Sequence, residues 1–339
     1  MAVFMLAGCA GSTVTSRFVP RTDPAVELLN DKVGETAFRE GYLGSGPDRI
    51  HYVEGGEGPV ILFVHGFPSF WYSWSNQLQA FRGCRRVIAI DAPGANFSGR
   101  SSFDDDYRIE RLAKRLDDVI AELAAGEQIT LVGHDWGGAL AWSYAEWKPD
   151  RLDRLVVFSA PPHDLFLELA ATDPEQQARS GYMQTFRDLD AEAVRVRAIG
   201  ATLYETAYAP MVAKGVLTEA EGALFEKTLA DPDAVSAGMA WYRANIPPFA
   251  SINLARDAWP SAVAKARLPV LLVRGADDRT FVKSMGEYAR AHADSLQIVT
   301  LPDVGHWTPF EDAEAANAAL GHFLGLPDGR CPSEPTIGE

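Results

Sequence analysis

Val132-Gly133-His134-Asp135-Trp136-Gly137-Gly138 constrains this chain more than any other stretch. It follows the short apolar run Ile129-Thr130-Leu131 and leads into Ala139-Leu140-Ala141-Trp142, which has helical character. A β-branched run, a reactive residue with glycine two positions away on each side, and then a helix form the layout of a nucleophile elbow, where small neighbours permit a sharp strand-to-helix turn. The apex is Asp135, at a position that usually carries serine in this motif. A carboxylate attacking an ester carbonyl would give a mixed anhydride, a poor intermediate. Attack on a saturated carbon gives an ordinary ester that water can cleave. Asp135 therefore points to epoxides or alkyl halides. The bland alternative is a glycine-rich turn whose Asp only caps the helix N-terminus, and the context has to decide between the two.

That context is an alternation of strands and helices. Ala37 to Leu43 and Arg49 to Glu54 read as an antiparallel hairpin across the turn signal Gly44-Ser45-Gly46-Pro47-Asp48. Pro59 to Val64 is a fully apolar run ending at His65-Gly66-Phe67-Pro68, Trp71 to Phe81 reads as helical, and Arg86 to Ile90 is another buried strand. Ile109 to Ala125 places Ile109, Leu112, Leu116, Val119, Ile120 and Leu123 at helical spacing. Leu155 to Phe158 is a further strand. From 161 to 259 the pattern is helical, broken at Asp173-Pro174, Asp231-Pro232 and Pro247-Pro248. Strands resume at Pro269 to Val273 and Leu296 to Thr300, and Ala313 to Leu324 closes as a helix. The expected class is α/β, a mostly parallel sheet covered by helices. Its expected parts are a leader (1–35), a first core segment (36–160), an inserted helical cap (161–259), a second core segment (260–326) and a tail (327–339).

With 339 residues, 47% of them hydrophobic and 23% charged, the chain can bury one large core plus an inserted subdomain. Lys and Arg number 31 against 46 Asp and Glu, a net charge of -15 with no basic patch, which argues against nucleic acid or an anionic membrane as partner. No stretch reaches the apolar length of an integral membrane span. The three cysteines, Cys9, Cys84 and Cys331, have no metal-ligand spacing. Met1 to Ser12 is a short apolar segment ending in small residues, and Leu6-Ala7-Gly8-Cys9 resembles a bacterial lipobox, although no Lys or Arg precedes it. This segment is read as favouring export, periplasmic and lipid-anchored, with a cytoplasmic location as the alternative. In an oxidising compartment Cys84 and Cys331 would remain as a candidate disulfide pair.

Ligands in open α/β sheets bind outside the carboxyl ends of the strands. Four such ends carry chemistry: His65-Gly66-Phe67, Asp135-Trp136, Asp277-Asp278 and Gly305-His306. Nucleophile, acid and histidine follow one another in the order of the strand-borne hydrolase triads. In that scheme His306 activates water, and Asp278 holds its tautomer and stabilises the imidazolium. Asp277 is the competing acid. The N–H groups of Phe67 and Trp136 would stabilise an oxyanion on the former Asp135 carboxylate, and His65, Phe67 and Trp136 are candidate substrate contacts. Of the seven histidines, His51, His292 and His322 read as satisfied polar residues.

Gly58-Pro59 through Trp74, with His65-Gly66-Phe67-Pro68 and Trp71-Tyr72-Ser73-Trp74, together with Gly133 to Gly138 and Gly305-His306-Trp307-Thr308, resembles the α/β-hydrolase-fold epoxide hydrolases. The resemblance runs from about Arg49 to Phe323. It implies an α/β-hydrolase fold whose helical cap carries two tyrosines that bind and protonate the epoxide oxygen. The candidates are Tyr182 in Gly181-Tyr182-Met183-Gln184-Thr185-Phe186, and Tyr242 in Met239-Ala240-Trp241-Tyr242-Arg243, which is similar to the family's Asn-Trp-Tyr-Arg. Tyr204 and Tyr208 compete with them. Ring opening makes an alkoxide, a poor leaving group, and a phenol donor lowers that barrier. The sequence departs from the family at Asp91 to Ser98, which lacks the usual Arg-Gly-Tyr-Gly, and at Ala240, where the family has Asn. The resemblance implies hydrolysis of a small apolar epoxide by water, with no cofactor and no metal. Phe186, Leu203, Phe225 and Phe249 are expected to line an apolar pocket. Two alternatives stand beside this: a haloalkane dehalogenase using the same Asp135, His306 and Asp278, and a catalytically silent binding module on the same fold.

Overall fold

The computed structural model describes residues 22–332, so the lipobox-like Leu6 to Cys9 lies outside the described residues. Eight strands are β1 (Phe38–Leu43), β2 (Ile50–Gly55), β3 (Val60–Val64), β4 (Arg86–Ile90), β5 (Ile129–His134), β6 (Leu152–Phe158), β7 (Ala266–Gly275) and β8 (Ala293–Leu301). They form one sheet in the order β1-β2-β4-β3-β5-β6-β7-β8. β2 pairs antiparallel with β1 and β4, and every other pairing is parallel. This is the α/β-hydrolase architecture.

The uninterrupted apolar runs of the central strands follow from burial on both faces. Every residue of β3 and β5 is buried. Val60, Leu62 and Val64 of β3 join one hydrophobic cluster, while Ile61 and Phe63 join the cluster on the other side, as the two-residue period requires. The helix Ile109–Leu123 buries Ile109, Leu112, Ala113, Leu116, Val119 and Ile120, the stripe its spacing foretells. Among the described residues, those between β6 and β7 fold only as helices, from His163–Thr172 to Leu254–Asp257. Both Asp-Pro breaks are helix starts: Asp173 caps Pro174–Asp188 and Asp231 caps Pro232–Asn245, each side chain accepting backbone N–H bonds. No helix among the described residues is long and apolar enough to cross a membrane.

The stretch read as a leader needs correction. Pro24–Val33 is a helix, with Asp23 accepting from the Ala25 N–H at its start and Gly34 in the left-handed conformation at its end. Its signals were present at both ends. Only Ala25, Val26 and Leu29 are buried, however, so a short amphipathic stripe between polar residues gave little periodicity to read. The tail is also anchored, because Cys331 is disulfide-bonded to Cys84.

Candidate active site

β5 delivers the chain to Asp135, whose backbone sits at φ 52° and ψ -122° before the helix Trp136–Trp147 begins. A non-glycine residue in such a region costs about 1–3 kcal/mol and persists only where its surroundings fix it. Here the fixing is steric: a Cβ on Gly137 would overlap the Val64 carbonyl at the end of β3. The turn thus packs directly on the neighbouring strand, and the Asp135 side chain is lifted over the ends of both.

Three strand ends converge on that carboxylate. From the loop after β3, the Phe67 N–H donates to Asp135 Oδ1 at 2.9 Å. From the loop after β8, His306 Nε2 lies 3.5 Å from Asp135 Oδ2. His306 Nδ1 is 3.1 Å from Oδ2 of Asp278, beyond the end of β7, and Asp278 Oδ1 accepts from the Thr280 N–H at 2.7 Å. Asp278 is buried, whereas its neighbour Asp277 is exposed. His134 Nε2 donates to the His306 carbonyl at 3.0 Å, holding the histidine loop against β5.

The electrostatics follow from burial and charge. Burial disfavours the His306 cation, but the Asp278 charge and the contact with Asp135 outweigh it and push the pKa up to about 10. Burial likewise opposes the Asp135 and Asp278 anions, and His306 overcomes it, leaving both carboxyls below the usual range. These shifts favour an imidazolium between two carboxylates. His134, buried beside that cation, is pulled down to about 4 and stays neutral.

Tyr242, on the helix Pro232–Asn245, is buried with its ring 5.0 Å edge-on from Trp136, 5.8 Å from Phe67 and 5.3 Å from Phe186. Tyr182, on Pro174–Asp188, packs 5.3 Å from Phe186 at the rim and keeps 38% of its surface accessible. Although part of its ring is exposed, desolvation, followed by the charges of Asp135 and Asp278, raises the Tyr182 phenol above its ordinary pKa. Burial, followed by Tyr182 and Asp135, does the same for Tyr242. Both phenols therefore stay protonated within the field of the Asp135 carboxylate. Tyr208, by contrast, donates to the Pro68 carbonyl at 2.6 Å and stacks on Phe225 at 4.0 Å inside the core.

Asp135, Trp136, His163, Phe166, Met183 and Phe281 line a narrow, partly open cleft. Trp136 also borders a second, largely apolar space together with Phe67, Leu229 and Trp241. Several expectations change here. His65 is not free to bind substrate through its ring: Nδ1 donates to the Gly66 carbonyl at 2.7 Å and Nε2 accepts from the Ala92 N–H at 2.9 Å. Both ring nitrogens are committed to shaping the loop that presents the Phe67 N–H. Of the four apolar residues expected to line a pocket, Phe186 borders the tyrosines, while Leu203 and Phe225 are core. Phe249 packs against the opposite cluster. His163, which follows Pro161-Pro162 after β6, was missed, although asking the strand-end question of β6 as well would have found it. Burial pulls its pKa down to about 4, so it presents a neutral ring. His51 is a satisfied core residue, with Nδ1 2.7 Å from Asp91 Oδ2.

A family model described as alpha/beta hydrolase fold matches residues 59–313. The chain is 30% identical over 281 residues to epoxide hydrolase 3 of Mus musculus, an alignment covering 81% of this chain and 74% of that protein. It is 26% identical over 271 residues to the AB hydrolase superfamily protein YfhM of Bacillus subtilis, covering 79% of this chain and 91% of that one. Among solved structures, an epoxide hydrolase from Bacillus megaterium in complex with an inhibitor superposes with a TM-score of 0.75 at 25% identity, over 84% of this chain and 100% of that one.

Proposed function

Because the chain belongs to the α/β-hydrolase fold family, in the branch that holds the epoxide hydrolases, and is a hydrolase, we propose that it opens an epoxide to a vicinal diol through an ester on Asp135. The observation that carries this reading is the placement of one carboxylate between the Phe67 N–H and the His306 ring. Oδ1 is tied to the backbone donor, so Oδ2 is the attacking oxygen. It forms a bond to an epoxide carbon, the ring C–O bond breaks, and the alkoxide takes a proton from Tyr182 or Tyr242. Ester formation removes the negative charge beside His306, which weakens the hold on its proton, and that proton passes to the phenolate left by ring opening, restoring the phenol and leaving a neutral ring. The neutral ring then takes a proton from water, and the resulting hydroxide adds to the ester carbonyl. Charge on the former Oδ1 is met by the Phe67 N–H and by the Trp136 N–H, which has no intrahelical acceptor at the first position of its helix. Collapse breaks the acyl C–Oδ2 bond, the new Asp135 carboxyl gives its proton to the departing alkoxide, and the diol, the Asp135 carboxylate and the His306 cation are restored.

A single turnover with enzyme in excess over styrene oxide, run in ¹⁸O-water, tests the scheme. The diol of that first turnover is expected to carry no label, because its new oxygen comes from Asp135. Labelled diol would mean direct attack by water, and bromide release from a bromoalkane with no diol from the epoxide would overturn the reaction class.

Position 66 offers a second test. A Cβ on Gly66 would overlap Oδ1, Cβ and Cγ of Asp135, so Gly66→Ala must shift the whole carboxylate, Oδ2 with it. A shift of this kind is expected to lower kcat by about 100-fold. The check is steady-state diol formation alongside circular dichroism. Wild-type kcat in the variant would contradict the assigned attack geometry.

A further inference from the structure

Glu146 lies near the end of the helix Trp136–Trp147, Asp164 in the first turn of His163–Thr172, and His292 at the end of the turn Arg290–His292 that enters β8. None of the three belongs to the site around Asp135. One ligand atom from each falls within 4.8 Å of the other two, and Asp164 Oδ2 is 3.3 Å from His292 Nδ1. Asp164 is 5% exposed. Its Oδ1 accepts from the Leu165 N–H at 2.9 Å, which aims Oδ2 into the gap. Glu146 Oε1 has no hydrogen-bond partner, and Asp164 Oδ2 has only the His292 ring beside it. Carboxylate oxygens held away from water without a hydrogen bond are costly unless something positive lies beside them.

We propose that Glu146, Asp164 and His292 hold a divalent cation of the zinc type, with water completing its coordination. Bonds of about 2.0–2.2 Å in tetrahedral geometry put ligand atoms about 3.3 Å apart, the separation that Asp164 and His292 already have. The imidazole selects against calcium and magnesium, which favour all-oxygen shells, and two carboxylates with one imidazole suit zinc. The Leu165 N–H bond to Asp164 is the outer-shell support that orients a metal ligand. The ion fastens the first helix of the inserted segment to the helix that begins at the elbow and to the approach to β8.

The test uses the full chain, stripped with a chelator and titrated with zinc. One equivalent is expected to bind with a rise of several degrees in Tm. His292→Gln and Asp164→Asn are each expected to weaken zinc binding by about 100-fold. Because a core variant can fail to fold, anomalous scattering at the zinc edge from wild-type crystals gives an independent readout, with a peak expected among these three side chains. No stoichiometric uptake, a peak elsewhere, or unchanged zinc affinity in folded variants overturns the proposal.

Discussion

His306→Gln is expected to trap the enzyme as an ester on Asp135, with diol turnover reduced by about 10³- to 10⁴-fold. The first step needs an ionised Asp135 and a proton donor for the epoxide oxygen, and His306 supplies neither directly. The second step needs a base for water, and glutamine is none. Intact-mass analysis should show one substrate added per chain, and peptide mapping should place it on Asp135. The histidine also lowers the Asp135 pKa. The variant should therefore alkylate more slowly at acidic pH and recover as pH rises, as the carboxyl ionises without its partner. In the wild type, ester formation should persist to low pH, because Asp135 is held below the usual range. Ester hydrolysis should weaken as pH falls, because protonated His306 is no base. Slow diol formation without any adduct would count against the two-step scheme.

Removing both phenols, Tyr182→Phe with Tyr242→Phe, is expected to cut epoxide opening by about 10⁴-fold, against about 10²-fold for either alone. The rings keep their packing on Phe186, Trp136 and Phe67, so the loss should come from proton donation. The two donors differ in setting: Tyr242 is locked among aromatic rings, whereas Tyr182 sits at the rim. Loss of Tyr182 is therefore expected to raise KM as well as lower kcat, and loss of Tyr242 to fall chiefly on kcat. Pre-steady-state ester formation in the three variants is the measurement. Near wild-type rates in the double variant would assign the proton to another group.

What could be read in advance is what local rules dictate. The elbow, the strand runs and the triad order each rest on a few neighbouring residues, and the alternation of Ile61 and Phe63 against Leu62 and Val64 is a property of any pleated strand. What needed coordinates is contact between distant segments. His65 stands at a strand end, as a substrate contact would, and only its bonds to Gly66 and Ala92 show that its ring is fully engaged. Phe225 and Phe186 look alike in sequence, yet one stacks in the core on Tyr208 and the other borders the phenols. The wall formed by Phe166, Met183 and Phe281 is assembled from two insertion helices and the loop after β7, a grouping that no spacing encodes.

The bond between Cys84 and Cys331 spans a sequence separation of 247 and encircles Asp135, Asp278, His306 and the whole helical insertion. A protease that nicks the chain once anywhere inside that loop produces two polypeptides that stay covalently attached. They would migrate as a single species in denaturing electrophoresis and separate only after treatment with a thiol.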